Sequence, residues 1–153
     1  MFPPVIKVSE AASPFFANTY CEAIANAVMD LGFTPEDTVE TFHATFKGSD
    51  YRKGTYVVIA RNEDHELIFG RIITILCRNN ELFFLTENYI SAFLPELSLY
   101  AIEDCRGEYQ CVNVCQLLDY YPLVGYSWKS NTRLRYLRRK TLIPLHHAIS
   151  EQD

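Results

Sequence analysis

LIFGRIITILCRNNELFFLTENY, residues 67–89, contains two apolar runs separated by the polar residues 78–81. Both runs are rich in β-branched and aromatic residues, which favour an extended backbone on a pleated surface. The intervening RNNE has the composition of a turn. The stretch therefore predicts two consecutive strands of a meander.

The same alternation of apolar runs and turns continues on both sides. GTYVVIAR (54–61) precedes the central stretch and is separated from it by the polar turn NEDHE. Further strands are predicted at LSLYAIED (97–104), EYQCVNVC (108–115), and a closing hairpin of VGYSWKS (124–130) and TRLRYL (132–137) that turns at Asn131. QLLDYYPL (116–123) is bounded by a proline and predicts a helical turn.

The N-terminal part has helical rather than alternating periodicity. Ser13 followed by Pro14 is typical of a helix start, and Gly32 is typical of a helix end. We therefore predict a helix over residues 14–31. Its buried face would carry Phe16, Tyr20, Ala27, Val28 and Leu31.

Together these elements predict an α+β fold, namely a curled antiparallel sheet or small β-barrel with an N-terminal helix. The chain is predicted to be one domain over 1–153, with its β-rich part at about 39–140 and a flexible tail at about 145–153. Gly70 lies inside an apolar strand and predicts a bulge or sharp bend. The predicted interior consists of Val57, Ile59, Phe69, Ile72, Ile75, Phe84, Leu99 and Ile102.

Composition limits the compartment and the chemistry. The 153 residues contain no apolar run long enough for a membrane helix and no N-terminal signal pattern. We therefore expect an intracellular protein, cytoplasmic or nuclear. We expect it to be neither secreted nor bound to a membrane. The five cysteines are an odd number with open spacing, which indicates reduced thiols rather than disulfides or a zinc site. No cofactor is predicted.

Positive charge is concentrated near the C-terminal end of the chain. TRLRYLRRKTLIP (132–144) follows Lys129, and the net charge of −5 hides this local excess. The predicted anion-binding or nucleic-acid-binding residues are Lys129, Arg133, Arg135, Arg138, Arg139 and Lys140. Arginine suits phosphate because its planar fork donates two hydrogen bonds at once. The alternatives are protection of a sheet edge, pairing with acidic residues of the same chain, and a nuclear-import signal.

Several motifs resemble an uncharacterised domain of animal, especially fish-type, proteins associated with mobile elements. They are FKGSDYRKGTYVVI (46–59), FGRIITILCRNNELFFLTENY (69–89), LYAIED (99–104) and LLDYYPLVGY (117–126). The resemblance covers roughly residues 46–140 and implies a fold and a genomic setting, but no catalytic residues. The strand at Arg71 and Ile72 is also remotely similar to the bromo-adjacent homology barrel of chromatin proteins.

Two classes of function remain open at this stage. The first is a non-enzymatic interaction module that docks a nucleic-acid backbone, or an acidic or chromatin protein, through the basic segment. The second is a mobile-element-derived enzyme of nuclease or hydrolase type with a carboxylate site built from Asp50, Glu87 or Asp119. A groove could also be lined by some of the aromatic residues Tyr51, Tyr56, Tyr89, Tyr120, Tyr121, Tyr126 and Trp128. We predict the first class, because no phosphate-binding loop or catalytic motif is present.

Overall fold

The computed structural model describes residues 6–8, 11–96, 98–103, 108–129 and 139–144. Within these ranges the helix α1 is Glu22–Met29, and short 3-10 turns lie at Ala17–Thr19 and Val114–Gln116. The strands are β1 (Ile6–Val8), β2 (Ser13–Pro14), β3 (Val39–Thr41), β4 (His43–Phe46), β5 (Ser49–Arg52), β6 (Tyr56–Arg61), β7 (Leu67–Arg78), β8 (Glu81–Ile90), β9 (Ala92–Leu94), β10 (Leu99–Glu103), β11 (Glu108–Asn113), β12 (Asp119–Leu123), β13 (Tyr126–Lys129) and β14 (Arg139–Pro144). None of the helices in these ranges has the length and apolar character needed to cross a bilayer.

The predicted hairpin of β7 and β8 is confirmed and forms the centre of the fold. Its register runs from Ile68 opposite Ile90 to Arg78 opposite Glu81. Asn79 and Asn80 connect the strands with positive φ angles of 52° and 62°. Asparagine tolerates this left-handed backbone, which tight hairpin turns require.

A seven-stranded antiparallel sheet, here called the central sheet, is built around this hairpin. β11 pairs with the free edge of β8, and β6 and β3 pair with successive parts of the other edge of β7. β12 extends the sheet beyond β6, and β2 extends it beyond β3. No pairing within the described residues closes the sheet on itself. The structure is therefore α+β with antiparallel sheets, and the predicted barrel does not form there.

The two faces of the central sheet are covered by different elements. On one face lies the three-stranded sheet of β1, β4 and β5, whose Tyr51 ring packs 4.8 Å from that of Phe84. We call the opposite face the helix-side face. There Phe83 and Leu85 of β8 pack against α1, and Tyr89, which alternation places on the same face, packs on a second cluster.

That second cluster lies between the central sheet and a four-stranded sheet of β13, β14, β10 and β9. The buried residues of this cluster are Tyr56, Val58, Leu67, Phe69, Ile102, Leu123 and Ile143. The chain passes from the central sheet to the four-stranded sheet twice, between β8 and β9 and again between β12 and β13. At the first crossing the N–H and the hydroxyl of the buried Ser91 both donate to the Leu67 carbonyl, at 3.0 and 2.9 Å. These bonds hold the chain at the corner.

The predicted N-terminal helix over residues 14–31 is wrong in its extent. α1 begins only at Glu22, and Pro14 belongs to β2, where it pairs with Val39. Phe16 is consequently exposed, and its neighbour Phe15 is buried against Ile24 of the helix. A strand pairing with β3 has displaced the first helical turns, because extended backbone at this point completes the sheet edge and still buries one phenylalanine. Strands also precede residue 39 and reach residue 144, beyond the predicted β-rich range, and the predicted tail at about 145–153 lies outside the described residues.

The predicted interior is largely confirmed. Seven of its residues are buried, and Leu99 is only partly so. Gly70 is buried but is not a bulge, because it pairs regularly with Val57 and Asn88. The irregularity of β7 falls between Ile72 and Thr74 instead.

Gly70→Ala is expected to lower the free energy of unfolding by about 1–2 kcal/mol through overpacking. A Cβ at residue 70 would lie 2.8 Å from Ile59 Cδ1 and 2.9 Å from both Thr86 Cβ and Asn88 Oδ1. The end of the isoleucine side chain can move, but Thr86 Cβ is fixed to the backbone of β8. Urea unfolding measures the loss. Ile59→Val in the Gly70→Ala background should restore part of it, and full stability in Gly70→Ala alone would contradict this packing.

Candidate nucleic-acid interface

The structure places three of the six predicted basic residues in one hairpin. Lys129 ends β13, and Arg139 and Lys140 begin β14. The register sets Lys129 directly opposite Arg139. Arg133, Arg135 and Arg138 lie outside the described residues, within the segment 130–138 that connects this pair of positions. We call residues 129–140 the basic hairpin end.

The predicted closing strand differs from the observed one. The predicted strand over 132–137 lies outside the described residues, and the strand that pairs with β13 begins at Arg139. β14 is hydrogen-bonded on both edges, to β13 and to β10, and buries Ile143 completely. The hydrogen-bond ladders to β13 and β10 and the burial of Ile143 stabilise this register. The local pattern of charges does not indicate the ladders or the burial.

The register opposes like charges at the basic hairpin end. On the edge of β14 that faces β10, Lys140 is paired with Glu103. On the edge that faces β13, the cationic Arg139 is paired with Lys129. Like charges directly opposite each other weaken the pairing of neighbouring strands. The register thus places two basic residues at opposed positions of neighbouring strands.

Of the predicted aromatic groove, two tyrosines are exposed in the described part of the chain. Tyr126, which begins β13, is 60% exposed, and Tyr121 of β12 is exposed as well. Tyr51 and Tyr56 are buried in the core and cannot contact a partner. The side chains of Tyr120 and Trp128 lie outside the described residues. Tyr126 lies on the same strand as Lys129 of the basic hairpin end.

A row of polar residues crosses four strands of the helix-side face between its two apolar clusters. The register aligns Tyr56, Arg71, Glu87 and Tyr109 on β6, β7, β8 and β11. An Arg71 guanidinium nitrogen donates to Glu87 Oε1 at 3.0 Å, and the Tyr89 hydroxyl donates to the same oxygen. The Glu87 side chain is only 12% exposed, whereas that of Arg71 is 43% exposed. Glu87 is therefore a nearly buried carboxylate with its own cation.

This environment changes the pKa values of Glu87 and of Tyr89. Burial alone would raise the pKa of Glu87, but the hydrogen bonds from Tyr89 and Arg71 and the charge of Arg71 outweigh it and hold that pKa below its ordinary value. Burial and then the bond to Glu87 raise the pKa of Tyr89. Glu87 is thus an ionised acceptor with committed partners, which makes it a poor general acid or base.

The other two predicted carboxylates are also engaged, each at a different place. Asp50 is bound by His43 and by Arg52, the latter at 3.4 Å. Asp119 Oδ1 accepts the Tyr121 N–H at 2.8 Å, as an anchor for local backbone does. Among the residues that the structure describes, no group of three or more His, Cys, Asp or Glu could hold a metal ion.

The cysteines offer no nucleophilic pair in the described ranges. Cys21, Cys77, Cys111 and Cys115 are free, and Cys105 lies outside those ranges. Burial raises the pKa of Cys111 to about 12 and also raises the pKa of Cys77. A raised pKa removes the thiolate that nucleophilic attack requires.

The polar row at Arg71 and Glu87 was not predicted from the sequence as a unit. The available signal is that each residue interrupts an apolar strand, which marks a position that must find a partner. No family model, curated protein or solved structure matches the chain. The resemblance to the mobile-element domain and to the bromo-adjacent homology barrel therefore stays a prediction.

Proposed function

We propose that this protein is a non-enzymatic interaction module that docks onto the phosphate backbone of a nucleic acid through the basic hairpin end. The observation that carries the proposal is the register of β13 and β14, which opposes Lys129 and Arg139 and ties both ends of the segment containing Arg133, Arg135 and Arg138. Arg133, Arg135 and Arg138 lie between these two paired positions in the sequence.

The charge of the whole chain supports a weak, local mode of binding. The net charge is −5 although the basic hairpin end is strongly positive, so other surfaces repel an anion. Phosphate contacts position a protein without reading bases, and we therefore expect little sequence preference.

The exposed Tyr126 favours single-stranded over duplex nucleic acid. Base stacking on an aromatic ring contributes about 1–3 kcal/mol and requires unpaired bases. Tyr126 begins β13, the strand that ends at Lys129, so an exposed aromatic ring lies on the same element as the basic hairpin end.

The enzymatic alternative has less support. Asp50, Glu87 and Asp119 each have separate hydrogen-bond partners. An acidic protein partner would use the same cations as a nucleic acid, and a direct binding measurement separates the two.

Binding of a labelled single-stranded RNA and of duplex DNA, measured by anisotropy at two salt concentrations, tests the proposal. We expect Lys129→Gln, Arg139→Gln, Lys140→Gln to weaken binding at least about tenfold. The slope of log affinity against log salt should flatten by about 0.7–0.9 for each phosphate that the variant no longer neutralises. The matched control Lys7→Gln, Lys47→Gln, Arg61→Gln removes the same charge elsewhere and should bind nearly as well as the wild type.

Equal weakening in both variants would mean that only net charge matters and would contradict a defined interface. Absence of binding to either nucleic acid at low salt would also overturn the proposal and leave an acidic protein as the candidate partner.

A further inference from the structure

A small pocket opens where β3 turns into β4, away from the basic hairpin end. Its volume is about 110 Å³, and it is lined by Ala11, Ser13, Glu40, Thr41, Phe42 and His43. A cavity of about 150 Å³ can hold a benzene molecule, so this pocket has room for a small head group. Its lining residues include one acidic residue, Glu40, and the apolar residues Ala11 and Phe42.

In the described part of the chain, the Glu40 carboxylate is held by hydrogen bonds and not by an ion pair. Its Oε2 accepts hydrogen bonds from the Tyr20 hydroxyl and from Thr74 Oγ1, the latter at 2.8 Å. Both donors are neutral hydroxyls. Among the described residues, no lysine, arginine or histidine forms an ion pair with Glu40.

The cationic residues near the pocket, and the carboxylate of Asp50, already have partners within the chain. His43 and Arg52 both bind Asp50, so the charge of Asp50 is met. Lys53 lies with its ammonium 4.8 Å from the centre of the Phe42 ring. Glu40 is therefore the lining residue that attracts a positively charged ligand. Phe42, also a lining residue, is partly exposed and offers an apolar surface.

We infer that this pocket binds a primary ammonium group at the end of an alkyl chain, with Glu40 as its counter-ion and Phe42 packing on the methylenes. A compact ammonium with three donors fits a site whose lining residues include the carboxylate-bearing Glu40 and the hydroxyl-bearing Ser13. A metal ion fits less well, because Ca²⁺ takes six to eight oxygen ligands and Glu40 is the one carboxylate on the pocket wall. The same chemistry occurs in a free alkylamine and in a lysine side chain.

Titration of the ¹⁵N-labelled full chain with n-butylammonium chloride tests this inference through the amide signals of residues 40–43. A probe this small is expected to bind with a Kd on the order of millimolar. Sodium chloride and tetramethylammonium chloride at the same concentrations control for ionic strength and for a cation that cannot donate hydrogen bonds. We expect saturable shifts with n-butylammonium alone.

Three variants separate the charge of Glu40 from its structural role. Glu40→Gln keeps an acceptor for Tyr20 and Thr74 and should weaken binding at least about tenfold. Tyr20→Phe disturbs the same network but keeps the carboxylate, so its affinity should equal or exceed that of the wild type. Phe42→Ala changes a half-exposed side chain, so this variant should fold even if Glu40→Gln does not. Its binding of n-butylammonium should be several-fold weaker than that of the wild type.

The source of the ammonium is distinguished with an N-acetylated, amidated lysine pentapeptide and its acetyl-lysine counterpart. Tighter binding of the lysine peptide than of n-butylammonium identifies a protein lysine as the ligand, and equal binding identifies a free amine. The inference is overturned if the three salts cause the same shifts, or if wild type and Phe42→Ala bind n-butylammonium equally.

Discussion

Replacing Phe15 by alanine is expected to lower the free energy of unfolding by about 3–5 kcal/mol. The side chain is 1% exposed and packs against Tyr20 and Phe33, with ring centres 6.1 and 6.0 Å away. It also joins α1 to the helix-side face of the central sheet through Ile24 and Leu85. Deleting the ring leaves a cavity at this junction, and the resulting change is a large part of the stability of an ordinary domain.

The neighbouring residue supplies a matched control. Phe16 has the same side chain but is 49% exposed, so Phe16→Ala should cost less than about 1 kcal/mol. Urea unfolding at one pH, with unchanged dependence on urea concentration, measures both variants. Similar destabilisation of the two variants would show that the N-terminal segment does not enter the core as described.

Arg71→Met is expected to lower the free energy of unfolding by about 2–3 kcal/mol at neutral pH. The substitution keeps an aliphatic side chain but leaves Glu87 as a nearly buried charge without its cation. Removal of one partner from a fully buried pair costs about 3–5 kcal/mol, and the partial exposure of Arg71 reduces this value. Arg52→Met removes an arginine from an exposed pair with Asp50 and should cost less than about 1 kcal/mol.

The pH dependence gives this prediction a definite sign. In the wild type the pKa of Glu87 lies below its ordinary value, so its contribution to stability is present above the unfolded pKa and is lost as the pH falls through the folded one. Without Arg71 the hydrogen bond and the charge that lower the pKa of Glu87 are lost, so this pKa rises relative to the wild type. The difference in stability between wild type and Arg71→Met should therefore shrink between pH 7 and pH 4.

A second substitution tests whether the destabilisation comes from the Glu87 carboxylate that has lost its cation. Arg71→Met combined with Glu87→Leu removes both charges and should recover most of the stability at pH 7. If the double variant is no more stable than Arg71→Met, the destabilisation arises from packing of the arginine stem and the electrostatic account is wrong.

The central hairpin was predictable because its signals are local. Long β-branched and aromatic runs on both sides of an asparagine turn favour β7 and β8 whatever the rest of the chain does. The N-terminal helix was mispredicted because Ser13 and Pro14 fit a helix start equally well. Their pairing with Glu40 and Val39 joins parts of the chain far apart in sequence, and such a contact leaves no trace in local periodicity.

For the candidate site, the sequence alone predicts the composition but not the register. The basic residues are evident from the sequence, whereas the strand that begins at Arg139 is set by its pairing with both β10 and β13. The pocket at Glu40 could not be predicted, because Tyr20 and Thr74 reach this carboxylate from two distant segments. Both features depend on tertiary contacts.

The crossings of the chain between the two sheets have a consequence for folding during synthesis. Because β8 continues into β9 and β12 continues into β13, strands that are adjacent in sequence belong to different sheets. β14 lies inside the four-stranded sheet but is the last of the described strands to be translated. Until residue 144 has left the ribosome, β10 and β13 lack the strand that pairs with both of them. The part of the helix-side face around Phe69 then lacks the cover of the complete four-stranded sheet. The nascent chain therefore exposes apolar strand surface until β14 is available to pair with β10 and β13.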